Sequence, residues 1–318
     1  MILLFLVIFA VSCVVLIRSG TWVVGALTRI SKFLGWKEFV VASILMAFAS
    51  SLPEIFVGIS SALSQKPELS FGNVIGSNII ALTLVVGIGA ILGKGLKFER
   101  KTLRLSSVYA VAISLLPFLL ILDGNISRID GIILLASLVI YFRELLKREE
   151  KFTKVFANHF KRGWNDFKLF LKDLLVFFGG VFLLLVSSEG VVWSASQLSL
   201  GLNLPLIIIG IFLVALGTSI PEVVFGIRSV MMNHKEMIVG DAIGSVVVNS
   251  ALALGLVGLI APFKITDFSF YFVGIIFTLI TTLSFLAFSW TEHKITPKEA
   301  LILIEIYVLF ILVEIIAK

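Results

Sequence analysis

One spacing constrains this chain more than any other feature. Residues 47–54, Ala-Phe-Ala-Ser-Ser-Leu-Pro-Glu, and residues 215–222, Ala-Leu-Gly-Thr-Ser-Ile-Pro-Glu, stand 168 positions apart (222 − 54 = 168). The same offset carries Gly58 onto Gly226, and Gly72, Ile75, Gly76 and Ser77 onto Gly240, Ile243, Gly244 and Ser245. Chance does not hold one offset across two apolar runs and the turn between them. The chain is therefore read as two copies of one unit.

Both units are built for lipid. Hydrophobic residues make up 59% of the 318 and charged residues 14%, against roughly 45–50% and 25% in soluble domains. A membrane helix takes about 20 residues, and apolar windows bounded by charge, Gly and Pro fall near 2–30, 39–64, 71–93, 103–122, 129–146, 173–200, 205–230, 238–262, 268–289 and 297–316. The first reads as a span and not a cleaved leader, because no basic residue precedes it and no small-residue cleavage site follows it. The expected fold is an all-α integral membrane protein of ten transmembrane helices, five to each unit. Five is odd, so the second unit must sit upside down relative to the first. Such an inverted repeat marks a secondary transporter whose site lies near the midplane, between the halves. The expected organisation is a first repeat over 1–146, a connection over 147–172 and a second repeat over 173–318. The single cysteine, Cys13, excludes an intramolecular disulfide and any CxxC metal or redox motif.

Lysine and arginine set the orientation. Of 26 such residues, 20 fall on the odd-numbered connections and their flanks, and only Lys66, Arg128, Lys264 and Lys318 on the other side, with Arg18 and Lys172 uncounted (20 + 4 + 2 = 26). The positive-inside bias then places both termini outside the cell membrane and the 147–172 connection in the cytoplasm. This distribution also accounts for the basic excess without a nucleic-acid partner. Within the connection Phe152, Val155, Phe156, Phe160, Trp164 and Phe167 recur at helical spacing among lysines and arginines, the pattern of a basic amphipathic helix lying on anionic lipid. Oligomeric state is not legible, and a monomer suffices for the fold. Arg18, deep within the first span, needs a partner, for which Glu189 of the sixth span is the candidate, or else snorkels to the surface.

The site follows from the paired segments. An ionised carboxylate at bilayer depth costs about 2.5 kcal/mol or more unless it faces a partner or water, so an intramembrane acid is by default functional. Glu54 and Glu222 are two such acids in equivalent positions. The proline before each removes a backbone donor, freeing the carbonyls of Ala49 and Gly217 and tending to open the helix. Ser50 and Ser51 stand four and three residues before Glu54, and Thr218 and Ser219 stand likewise before Glu222, so each pair of hydroxyls shares a helix face with its carboxylate. Ser77, Ser245 and Asn249 add oxygens from the following spans. Ser and Thr in membrane helices also back-bond to the preceding turn, Asn249 could bridge helices, and Asp241 reads as the cap of its helix. All-oxygen ligation without thiolate or imidazole suits Ca2+, and also Na+.

These SSLPE and TSIPE segments, each followed by a GNVIGS-like segment, resemble the alpha repeats of the calcium/cation antiporter superfamily, and especially its prokaryotic sodium/calcium exchangers, over essentially the whole chain. The resemblance implies that Glu54 and Glu222 bind calcium. It implies too that Ser50, Ser51, Thr218, Ser219, Ser77, Ser245 and the carbonyls of Ala47 and Ala215 serve calcium or sodium, and that the first and sixth spans slide across the other eight. Ala81 stands where the family usually has Asn, Asn249 where some members have Asp, and Asp241 where the second GNxxGS segment has Asn. The function expected is Ca2+/Na+ exchange with no resident cofactor. Proton-coupled exchange of Ca2+ or another divalent cation is the alternative, and a cation channel a further one. An intramembrane enzyme is not expected: His159, His234 and His293 all fall in connections, and no span pairs two aspartates near its middle.

Overall fold

The computed structural model describes residues 1–34, 38–97, 100–149, 164–232, 235–265, 267–290 and 294–316. These form ten long helices: α1 (Ile2–Leu34), α2 (Glu38–Leu63), α3 (Pro67–Leu92), α4 (Arg100–Leu120), α5 (Arg128–Glu149), α6 (Trp164–Leu202), α7 (Leu206–Met231), α8 (Glu236–Val248, continuing to Leu254–Ile260), α9 (Ser269–Trp290) and α10 (Pro297–Ile316). Six stretches within them are long and apolar enough to cross a bilayer, in α1, α3, α6, α7, α8 and α9. In hydrocarbon every backbone polar group must be satisfied within the chain, which is why apolar runs of this length become helices.

The helices differ in how far the protein itself covers them. Of the spanning windows in α3 and α8, 83% and 78% of residues are buried, against 22% and 11% in α1 and α6. The first pair is therefore the core and the second lies outside it. At 33 and 39 residues, α1 and α6 are roughly 50 and 60 Å long at 1.5 Å per residue. That exceeds a hydrocarbon layer of about 30 Å, so an upright crossing is excluded unless the ends protrude. They pack along one another, with Gly190 against Ser12 and Gly180 against Val23.

Two features carry the offset of 168 into the structure. A π turn interrupts α3 at Ala81–Val85 and another interrupts α8 at Asn249–Ala253 (249 − 81 = 168). Across the middle of the molecule α3 packs on α7 and α8 on α2. Gly72 and Gly76 make the first crossing close, because a Cβ on either would run into the carbonyl oxygens of Ile207 and Ile211. Four two-residue strands depart from an all-α expectation. β1 (Leu96–Lys97) pairs with β4 (Lys294–Ile295), and β2 (Asn125–Ile126) with β3 (Phe263–Lys264), both antiparallel.

Three expectations need correction. Residues 164–172 are not part of a separate connection but the first turns of α6. They contain neither Pro nor Gly to stop a helix that, once nucleated, propagates. The remainder of the expected amphipathic segment, 150–163, lies outside the described residues. The helices also run unbroken through Pro53 and Pro221, and the irregularity in α7 is instead a π turn at Gly210–Val214, ahead of the proline. Finally, Glu189 accepts from the Ser64 hydroxyl at 3.2 and 3.1 Å. Arg18 does not reach it: α1 and α6 lie so that Ser12 faces Gly190 and Val23 faces Gly180, which leaves Arg18 more than a turn away.

Candidate cation site

The two crossings of α2, α3, α7 and α8 hold the paired segments together. Glu54 and Glu222 are both buried, as are Ser51, Ser77, Thr218, Ser219, Ser245 and Asn249. On one side the Thr218 hydroxyl donates to Asn73 Oδ1 at 3.1 Å, the Ser77 hydroxyl lies 3.4 Å from Glu54 Oε1, and Ser77 and Thr218 are 3.5 Å apart. On the other, Ser50 and Ser245 hydroxyls meet at 3.0 Å, and Ser50 stands beside Asp241. Adding 168 to Ser50, Glu54, Asn73 and Ser77 gives Thr218, Glu222, Asp241 and Ser245. The two clusters are therefore one arrangement built twice from opposite halves of the chain.

Much of this oxygen has no donor. Both carboxylate oxygens of Glu222, Oε2 of Glu54, the hydroxyls of Ser51 and Ser219, and both side-chain atoms of Asn249 are buried without a hydrogen-bond partner among the described residues. Several of the contacts that do exist are 3.4–3.5 Å long, beyond the usual O–H···O range of 2.5–3.0 Å. Buried polar groups are ordinarily satisfied, so a concentration of orphaned oxygens points to a cation. Among the described residues no three His, Cys, Asp or Glu side chains converge tightly enough to hold a metal by themselves, and hydroxyl, amide and carbonyl oxygens would have to complete any coordination shell.

The expected residues fare unequally. Ser51 and Ser219 do not back-bond, and Asn249 does not bridge helices by a hydrogen bond. Thr218 does back-bond, weakly, to the Ala215 carbonyl at 3.4 Å. Ala215 follows the α7 π turn directly, and such turns recur at functional sites. Ala47 lies in α2 one turn before Ser50 and Ser51, and its surroundings lie outside the described residues. Asp241 is not a cap: the N-cap of α8 is Lys235, without a capping side chain, and Asp241 sits five residues into the helix, 5% exposed. Asn73, at the centre of the first cluster, is a residue the sequence reading passed over. The signal was present, since Asn73 and Asp241 are themselves a pair at the offset of 168 and stand one turn before Ser77 and Ser245.

The family model described as sodium/calcium exchanger protein matches residues 4–143 and 172–316. The chain belongs to the sodium/calcium exchanger family. It is thus a multi-pass membrane protein of a transporter class and not of a catalytic one. Among curated relatives of this exchanger, an uncharacterized membrane protein of Methanocaldococcus jannaschii is 30% identical over 254 residues, covering 78% of this chain and 80% of that protein. A sodium/calcium exchanger of Methanosarcina acetivorans is 26% identical over 335 residues, covering 94% and 95%. A solved structure of the sodium-calcium exchanger NCX_Mj, soaked with Na+ and Sr2+, superposes with a TM-score of 0.66 at 26% identity, covering 98% of this chain and 99% of that one.

Proposed function

We propose that the protein exchanges Ca2+ for Na+ across the cell membrane by alternating access, at a midplane site whose charge comes from Glu54 and Glu222. The observation that carries this reading is the pair of fully buried carboxylates, surrounded by the hydroxyls of Ser77, Thr218 and Ser245. Among the described residues, three of the four carboxylate oxygens have no donor within hydrogen-bond distance, and no Arg or Lys stands beside them. Two carboxylates balance one Ca2+, and hydroxyls and carbonyls are hard ligands suited to either ion. Ser50, Ser51, Ser77, Thr218, Ser219, Ser245 and Asn249, with the carbonyls of Ala47 and Ala215, complete the proposed ligand set.

The proposed topology is ten spans in two inverted repeats, α1–α5 and α6–α10, with both termini outside. Several contacts support it, each joining connections that this alternation puts on one face. The connection after α3 pairs with the one after α9 through β1 and β4, and the connection after α4 with the one after α8 through β2 and β3. Lys235 donates to the Gly93 carbonyl at 2.6 Å, and on the helices leading to and from that face Arg29, in the last turns of α1, pairs with Asp173, in the third turn of α6, at 2.7 Å.

The test is calcium uptake into vesicles containing the purified protein, under an imposed sodium gradient and, separately, a proton gradient. Uptake driven by sodium and inhibited by dissipating its gradient is the expected result. Uptake that ignores sodium and follows pH makes the protein a proton/calcium exchanger, and flux indifferent to either counter-gradient makes it a channel.

A further inference from the structure

In an inverted repeat each contact near the outer face has an image, 168 residues away, near the inner one. One set of contacts breaks this rule. Ser60 and Ser64, one turn apart at the outer end of α2, meet Ser188 and Glu189 of α6. The Ser64 hydroxyl donates to Glu189, whose carboxylate oxygens lie 3.2 and 3.1 Å away. Ser60 and Ser188 are buried with their hydroxyls 2.6 Å apart. Since Ser188 gives its proton to the Leu185 carbonyl at 2.9 Å, Ser60 is the donor of that pair. The images of these four residues are Arg228 and Met232 of α7 and Gly20 and Thr21 of α1 (60 + 168 = 228; 188 − 168 = 20). Gly20 has no side chain to bond with, and the Thr21 hydroxyl donates back to the Ile17 carbonyl at 3.0 Å.

On the inner side there is space instead. Gly20 and Thr21 line a cavity of about 230 Å³, together with Val24 of α1, Phe225 of α7 and Asp241 of α8. All five stand on the cytoplasmic half of their helices in the proposed topology. The images of Val24, Phe225 and Asp241 are Val192, Val57 and Asn73, each 0% exposed. Val57 belongs to an apolar cluster with Phe9 and Leu16 of α1 and Leu184 and Val191 of α6. The protein is thus packed shut on one side of Glu54 and Glu222 and hollow on the other.

From this asymmetry we infer that Ser60 and Ser64 with Ser188 and Glu189 form an outer latch, which fastens α6 to α2, keeps the protein open toward the cytoplasm and must part before ions reach the site from outside. The inference rests on the alternating-access reading and its orientation. A hydroxyl donating to a carboxylate makes a stronger bond than two neutral groups do, and the Ser60–Ser188 bond beside it is shielded from water. Gly20 and Thr21 cannot reproduce either bond on the inner side, so the opposite state lacks this contribution and the resting population lies inward. A ligand that needs a minority state binds with an apparent affinity lowered by the fraction in that state. External ions are therefore at a disadvantage, and the exchanger at rest meets cytoplasmic Ca2+ first.

The test needs no transport. In a Cys13→Ala background, Val57→Cys reports on the outer half, labelled by an impermeant thiol reagent on intact cells, and Thr21→Cys on the inner cavity, labelled in inside-out vesicles. With the latch intact, Val57→Cys should react slowly and Thr21→Cys fast. Ser64→Ala and Glu189→Ala should each speed outer labelling about fivefold, the factor corresponding to about 1 kcal/mol, the worth of one hydrogen bond. The double variant should add little to either single one, because both remove the same bond, and inner labelling should not rise. Fast outer labelling with the latch intact, unchanged outer labelling in both single variants, fully additive effects, or inner labelling that rises with the outer overturns the latch, the last because it reports a loosened fold and not a shift between states. Calcium uptake by the Cys13→Ala protein and the face on which Gln65→Cys reacts are read separately, so that failure of the exchange reading or of its orientation is told apart from failure of the latch.

Discussion

Replacing Glu222 by Gln separates a ligand from a structural acid. Neither oxygen of Glu222 has a hydrogen-bond partner among the described residues, and the residue is 1% exposed. The substitution therefore loses at most a long approach of the Ser245 hydroxyl in the ion-free protein, and a neutral amide is cheaper to bury than a carboxylate. With calcium the balance reverses, since removing one partner of a buried charge pair costs about 2–5 kcal/mol. Taking about 3 kcal/mol, the dissociation constant rises roughly 140-fold at 1.4 kcal/mol per decade. At a calcium concentration 100 times the wild-type constant, ligand stabilisation is about 2.7 kcal/mol, and in the variant it falls to about 0.3 kcal/mol. Thermal unfolding in detergent, with and without calcium, reads both quantities. The expected result is an ion-free midpoint unchanged or raised and a calcium-dependent shift nearly abolished. A variant that calcium stabilises as strongly as the wild type refutes the placement of Glu222 in the site.

The other variants probe the shell, the packing and the orientation. Ser219→Ala removes a buried hydroxyl that has no partner, so the ion-free protein should gain up to about 1–3 kcal/mol of relieved desolvation while calcium or sodium affinity falls severalfold in equilibrium binding; unchanged affinity excludes this hydroxyl as a ligand. Gly76→Ala forces a methyl against the Ile211 carbonyl and Ala215 and should cost about 1–3 kcal/mol by overpacking, whereas Gly179→Ala, with nothing within 4 Å of its new Cβ, should leave the unfolding midpoint within a degree or so. Gln65→Cys should react with an impermeant thiol reagent from outside and Met232→Cys from inside, both residues being exposed; labelling of both from one face is incompatible with ten alternating spans.

The residues legible in the sequence were those whose chemistry was written twice. Glu54 and Glu222, with the hydroxyls one turn before each, declared themselves because an acid after proline inside an apolar run has no cheap structural role. Asn73 was hidden by its neighbours: between Gly72 and Gly76 it reads as part of a close-packing segment, and only the approach of α7 shows that Thr218 donates to it. Asp241 was misread because an acid near a helix start favours the N-terminal dipole, whereas α8 begins at Glu236, before the apolar Met237 and Ile238. The Arg18–Glu189 pairing failed for another reason. Hydropathy locates a span along the chain but carries no information on how far one helix is slid against the next, and that register is set by Gly190 and Gly180 seating Ser12 and Val23.

That same register makes a test of motion possible with the protein's own cysteine. Alternating access through α1 and α6 requires α1 to shift against α7, and Gly217 of α7 lies against α1 at Cys13. A Cβ built on Gly217 would stand 2.8 Å from Cys13 Sγ, close to the separation of about 3 Å between a disulfide sulfur and its partner's Cβ that an S–S bond of about 2.05 Å imposes. The neighbouring Phe9 ring, 3.3 Å from that Cβ, must give by only a few tenths of an ångström. Gly217→Cys should therefore form a disulfide with Cys13 on mild oxidation, detectable as loss of both free thiols in a monomeric band. If α1 moves past α7 in each cycle, oxidation should reduce sodium-driven calcium uptake to the level of empty vesicles and dithiothreitol should restore it. Ca2+ binding in detergent should persist in the oxidised protein, since the bond locks one arrangement without touching Glu54 or Glu222. Fully crosslinked vesicles that continue to exchange calcium would show that α1 and α7 move as one body, and the sliding pair would have to be sought elsewhere in the bundle.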